Sequence, residues 1–191
     1  MKHLKKLTAI VVFALLFCSC KNQNNEASAA QTNSTTETVQ KEQTGQAFID
    51  DDESKPTVLH IAINSPDHST LVAAVQAAGL ENALVNAGPL MVFAPTNEAF
   101  AALPEGTLDH LLKPENKETL AGILKYHVTP GNYSKEFLKK FKQLGQANNQ
   151  YVTVEVIDEE PVIGGANIIT SIPAGNGIVH VVDKVLLPPT N

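Results

Sequence analysis

At Tyr151 the apolar residues of this chain change period, and that change narrows the available folds more than any other feature. Before it, apolar side chains recur at helical spacing. Leu71, Val75 and Ala78 fall on one helical face, as do Leu120, Ile123, Leu124 and His127 at i, i+3, i+4 and i+7. After it, Val152, Val154 and Val156 alternate with Thr153, Glu155 and Ile157, which is the period of a strand. One continuous apolar run of strand length, Leu90–Ala94, interrupts the helical half. Helices first and strands second, with one strand between, predict an α+β domain.

Breakers divide the helical half. Thr57–Asn64 reads as one or two helical turns closed by Ser65-Pro66. Asp67–Thr70 offer capping oxygens for the helix that carries Leu71, and Gly79 ends it. Leu80, Leu84 and Val85 form a short helix up to Gly88-Pro89. Pro95-Thr96-Asn97 turns the chain into a helix with Phe100 and Leu103, stopped by Pro104. Leu108, Leu111 and Leu112 keep helical spacing, and Pro114 suits the first turn of the helix bearing Leu120. Phe137, Leu138, Phe141 and Leu144 read as a last short helix, with strands close behind. Asp158–Glu160 is a turn, Gly164-Gly165 a turn or bulge, and Gly175-Asn176-Gly177 a tight turn between the final strands.

The first twenty residues have another character. Lys2, Lys5 and Lys6 precede an apolar run, Leu7–Phe17, too short for the roughly 20 residues that span a bilayer. This is the shape of a secretory signal. The two cysteines of the chain, Cys18 and Cys20, both lie here, which excludes a disulfide framework in the body. Ser19-Cys20 resembles a bacterial lipobox, with Cys20 as the lipid-bearing residue; Phe17 and Cys18 depart from its usual upstream residues. Residues 20–54 are polar, end in Asp50-Asp51-Asp52-Glu53, and bury too little apolar area to offset their ordering entropy. Within them, Phe48 and Ile49 are the pair suited to docking on the domain. The expected division is a signal peptide at 1–19, a disordered tether at 20–54 and a folded domain at 55–191.

Charge removes some functions. No Arg occurs and the formal net charge is -6. Loss of residues 1–19 would leave 11 lysines against 20 acids, near -9. Such a chain lacks the forked guanidinium that recognises phosphate and guanine, so nucleic acid is not the expected partner. The six histidines show no metal-ligand spacing. No Gly-x-Ser-x-Gly occurs, and the thiols are confined to the signal region. The sequence thus predicts no enzyme, no metal and no cofactor.

Three segments resemble the motifs of fasciclin domains. Met91-Val-Phe-Ala-Pro-Thr-Asn-Glu-Ala-Phe100 is similar to the first signature, Leu124-Lys-Tyr-His-Val128 to the central Tyr-His motif, and Asn176–Pro188 to the second signature. They occur in family order over the whole folded part. The resemblance implies a wedge-shaped β-sandwich flanked by several short helices. It implies extracellular adhesion or ligand binding without shared catalysis. Phe93, Pro95, Thr96, Phe100, Asn176, Gly177 and His180 are then motif residues with a structural role. Tyr126 and His127 are candidate binding residues, with a buried, hydrogen-bonded core histidine as the other reading of His127. Ile172 is the third candidate; Ser171-Ile172 stands where animal members carry an Asp-Ile adhesion motif, so the acid is missing. The expectation is a monomeric, lipid-anchored envelope protein, periplasmic or surface-exposed on an outer membrane. Its partner is an envelope or neighbouring-cell protein or polysaccharide. The alternative is a carrier of a small apolar molecule such as a carotenoid or lipid.

Overall fold

A computed structural model describes residues 55–86 and 88–189. The expected signal peptide, the Cys20 lipidation site and the tether with Phe48 and Ile49 lie outside the described residues.

Local chemistry sets the early elements. Helix α1 (Val58–Ile63) starts where the Thr57 hydroxyl accepts the His60 N–H at 3.2 Å. A 3-10 turn at Pro66–His68 leads into α2 (Ser69–Ala78), which ends on Gly79 at φ 69°, a left-handed cap that a β-carbon would strain. Next come α3 (Glu81–Asn86) and β1 (Leu90–Pro95). Thr96 then caps α4 (Asn97–Ala101), its hydroxyl accepting the Ala99 N–H at 3.3 Å. Helix α5 (Thr107–Leu111) and a 3-10 turn beginning at Pro114 precede α6 (Lys117–Tyr126). The remainder is β2 (Val128–Pro130), α7 (Lys135–Leu138), β3 (Gln143–Gly145), β4 (Tyr151–Ile157), β5 (Glu160–Ile163), β6 (Ala166–Ala174) and β7 (Gly177–Val182).

The strands form one sheet in the order β2-β1-β7-β6-β5-β4-β3. Strand β1 runs parallel to β7 and antiparallel to β2; the other pairs are antiparallel. The two ends of the order approach each other, and the Ala147 N–H donates to the Val128 carbonyl at 2.7 Å. The expected sandwich therefore takes the form of a nearly closed sheet edged by short helices. Two-residue turns make the β4–β5 and β5–β6 hairpins. Asp158-Glu159 (φ 50° and 65°) and Gly164-Gly165 (φ 54° and 81°) adopt the positive φ that matches strand twist. Glu160, expected in the turn, already pairs with Ile157.

Alternation along β1 and β7 divides two cores. Leu90, Val92 and Ala94 of β1 and Val179 and Val181 of β7 face α1, α2 and α6. Met91, Phe93, Ile178 and Val182 face inward, against Val152, Val154, Ile163 and Ile168 of the curled sheet. Both strands are buried along their full length, which explains why Leu90–Ala94 reads as an unbroken apolar run.

Three local expectations are corrected. The residues Asp67–Thr70 do not cap α2 from within; the Asn97 carboxamide oxygen accepts the Thr70 N–H at 3.0 Å instead. Leu144 lies in β3 and not in a helix, because α7 stops at Leu138. Val156 keeps the strand period but is 51% exposed near the β4–β5 turn, although its partner across the hairpin, Pro161, is buried.

Candidate functional site

Each motif places a polar side chain where it holds backbone from elsewhere in the chain. Asn97 accepts from Thr70 N–H and donates through Nδ2 to the Pro66 carbonyl at 2.9 Å, which fixes the entry to α2. Asn176 does the same for two other helices. Its Oδ1 accepts the Val58 N–H at 2.9 Å at the start of α1, and its Nδ2 donates to the Leu84 carbonyl at 2.8 Å in α3. Orphan amides and carbonyls at helix ends need such partners. The sequence showed Asn97 as a helix start and Asn176 as a turn residue. Neither clamp has a local signal, because the partners are 27 to 118 residues away.

Gly177 lies where β7 meets β1, and a β-carbon there would overlap the Leu90 carbonyl. Phe93 and His180 are fully buried and stack with ring centroids 5.8 Å apart. Pro95 is buried beside Val182, and Phe100 packs on the helical core.

His127 and His180 spend both ring nitrogens on hydrogen bonds. Nε2–H of His180 donates to the Tyr133 carbonyl at 2.9 Å, so Nδ1 is the acceptor for the Ser171 hydroxyl at 2.7 Å. In His127 the tautomer is reversed. Nδ1–H donates to the Ile123 carbonyl at 2.8 Å and Nε2 accepts the Leu186 N–H at 2.9 Å. His127 thus ties the end of α6 to the last segment of the domain. Burial pushes its pKa down to about 4, against a smaller upward pull from the Ile123 carbonyl. Burial also lowers His180, the Tyr133 carbonyl opposing it and Lys135 adding to it. His68 is lowered by burial too, against smaller upward pulls from the Asp67 charge and the Ala94 backbone; its Nδ1 meets the Ser65 hydroxyl at 2.8 Å, while its buried Nε2 has no hydrogen-bond partner among the described residues.

The candidate binding residues do not form one exposed cluster. Tyr126 is buried in the sheet-side core, and its hydroxyl donates to the Tyr151 carbonyl at 3.0 Å. Its neighbour His127 is buried on the helical side. Ile172 is half-buried on β6, against the same helical core.

Between α1, α2, α3, α6 and β1 lies a cavity of about 210 Å³. Val58, Leu71, Val75, Leu84, Val92 and Leu124 are among its walls. Lys125 and His127 also line it, and no carboxylate does. The volume exceeds the roughly 150 Å³ apolar cavity that takes up benzene or xenon and stays dry otherwise. Sequence periodicity gives the apolar faces but not the gap between them. Among the described residues, no group of three or more His, Cys, Asp or Glu is placed to hold a metal ion, and no helix is long and apolar enough to cross a membrane.

A family model described as the fasciclin domain matches residues 66–188. Protein sll1483 of Synechocystis sp. is 44% identical over 138 residues, covering 72% of this chain and 76% of that protein. The uncharacterized protein sll1735 of the same organism is 39% identical over 132 residues, 69% of this chain and 98% of that one. Transforming growth factor-beta-induced protein ig-h3 of Sus scrofa is 40% identical over 146 residues, 71% of this chain but 20% of that protein.

Proposed function

This chain belongs to the fasciclin family, and we propose that it acts as a non-catalytic binding module of the cell envelope, held outside the cytoplasm by a lipid on Cys20, with a small apolar molecule as its ligand. The observation that carries the ligand class is the cavity under the helices, whose walls are almost wholly apolar. Such a site rewards displacement of water from apolar surface and offers few groups to orient a polar substrate. Catalysis finds little support. The Ser171–His180 pair has its imidazole buried and its second nitrogen committed to a backbone carbonyl, and in the Ser65–His68 pair the imidazole is buried as well. Tyr126 and His127 belong, in this reading, to packing.

The test is saturable binding of the apolar fluorescent dye N-phenyl-1-naphthylamine. Wild type is expected to enhance its emission. Val75→Phe, which fills the cavity from α2, is expected to abolish the enhancement while the domain still melts cooperatively. Unsaturable binding, or binding that Val75→Phe leaves intact, would contradict the cavity as the site.

Adhesion to a protein or polysaccharide is the second reading. Its support is the exposure of Tyr151, Ile157 and Ile169 on the outer strands, at 63%, 51% and 58%. The membrane location is tested separately: Cys20→Ala is expected to move the protein from the membrane fraction to the soluble fraction. Retention of the variant in the membrane, with unmodified Cys20 in the wild type, would end the anchor proposal.

A further inference from the structure

The cavity has one cationic residue in its lining, and its place suggests the chemistry of the ligand. Lys125 lines the cavity and is itself exposed, so it stands at an opening. It makes no ion pair among the described residues, whereas Lys135 and Lys139 hold Glu160 and Glu136 at 2.7 and 2.9 Å. No acid faces it from the cavity lining. The other titratable lining residue, His127, has both ring nitrogens engaged by backbone. Lys125 therefore supplies the polar side-chain group left to meet a ligand whose remainder is buried among apolar walls. Its position in the last turn of α6 also suits the helix dipole, a role that requires no ligand. The experiment below separates the two.

Resting on the cavity as the binding site, we propose that its ligand is a single-chain amphiphile with an anionic head, the tail lying under the helices and the head at Lys125. Long side chains of this kind lay their methylene stem along apolar surface and keep the charge in water, which suits a rim position. Each methylene transferred from water into the cavity raises affinity about fourfold. Head-group recognition at a solvated rim is weaker, about three- to fivefold, and is screened by salt.

The test is calorimetric titration of the full chain carrying Cys20→Ala with decanoate, decanol and decyltrimethylammonium. The expected order is decanoate tightest, decanol three- to fivefold weaker and the ammonium weakest, with the decanoate advantage shrinking at 0.5 M salt. Lys125→Gln is expected to erase the decanoate advantage and leave decanol affinity unchanged. Lys125→Glu is expected to favour the ammonium. Equal binding of decanoate and decanol by wild type, or a preference that survives Lys125→Gln, overturns the head-group proposal while decanol binding still upholds the cavity. Binding of none of the three overturns both.

Discussion

The two cores on either side of β1 and β7 are assembled in different ways. The sheet-side core is enclosed by strands whose backbone ladders fix the spacing of Phe93, Ile163, Val182 and their neighbours. The helical core is covered by short helices, of which α1 and α3 have six residues each. Helices of that length are not stable alone in water. These two are held by packing and by the distant Asn176 carboxamide, and the entry to α2 is held by Asn97. A ladder places each strand at a set distance. A clamp at a helix end leaves the middle of the helix free to stand off the sheet, and it is there that the cavity lies. The same domain thus has a side specified by hydrogen-bonded register and a side with room for a guest.

Five expectations sharpen this contrast. The largest effect is expected at the seam. Gly177→Ala drives a methyl group into the Leu90 carbonyl and breaks the parallel β1–β7 pairing on which both cores rest, at a cost above about 4 kcal/mol. Denaturant melts that show a well-folded variant would refute the role of that contact.

Acid comes next. His127 is held at about 4 when folded and returns to about 6.5 when unfolded, so the unfolded chain takes up the proton first. The stability is complete above about pH 6.5 and is lost as pH falls toward 4, by roughly 3 kcal/mol. His180 and His68 shift in the same direction and add to the loss. Denaturant midpoints at pH 7, 5.5 and 4 measure it, and His127→Gln is expected to flatten the curve. A flat wild-type curve would show that the buried imidazole does not control this window.

Removing a clamp should cost less and act on one side. Asn176→Ala leaves the Val58 amide and the Leu84 carbonyl without their partner, about 2 kcal/mol. Hydrogen exchange is expected to quicken in α1 and α3 and not in β4–β6. Uniform quickening would mean that the two sides do not open separately. His127→Ala should likewise lower stability, by about 1–3 kcal/mol, more than it lowers binding of any partner. Lost binding with unchanged melting would restore it as a contact residue. The smallest effect, within about 0.5 kcal/mol, is expected for Ile169→Ser on the exposed outer face.

The same contrast governs what could be read from the sequence. Period located α2, α6 and β4, since each buries a face that repeats every 3.6 or 2 residues, and an unbroken apolar run located β1, which is buried on both faces. Thr96 and Gly79 were legible because caps act within three residues. In β7 the alternation of Ile178, His180 and Val182 against Val179 and Val181 separates the two faces. The reach of Asn176 to α1 and α3 was not legible, because a turn residue carries no mark of what its carboxamide will meet. Nor was the opposite tautomer of His127 and His180, which depends on the Leu186 amide and the Tyr133 carbonyl arriving from far along the chain. The walls of the cavity were legible, as apolar helical faces and the run Leu90–Ala94, but the space between them was not: Val75, Leu84 and Val92 read as core residues, and only their three-dimensional separation makes a site.

A ligand on the helical side requires room that a guest can occupy. A crystal of the protein pressurised with xenon tests this directly. The expected result is xenon density between α2, α3 and β1, beside Val75, Leu84 and Val92. The absence of xenon there, with those side chains in mutual contact, would contradict it.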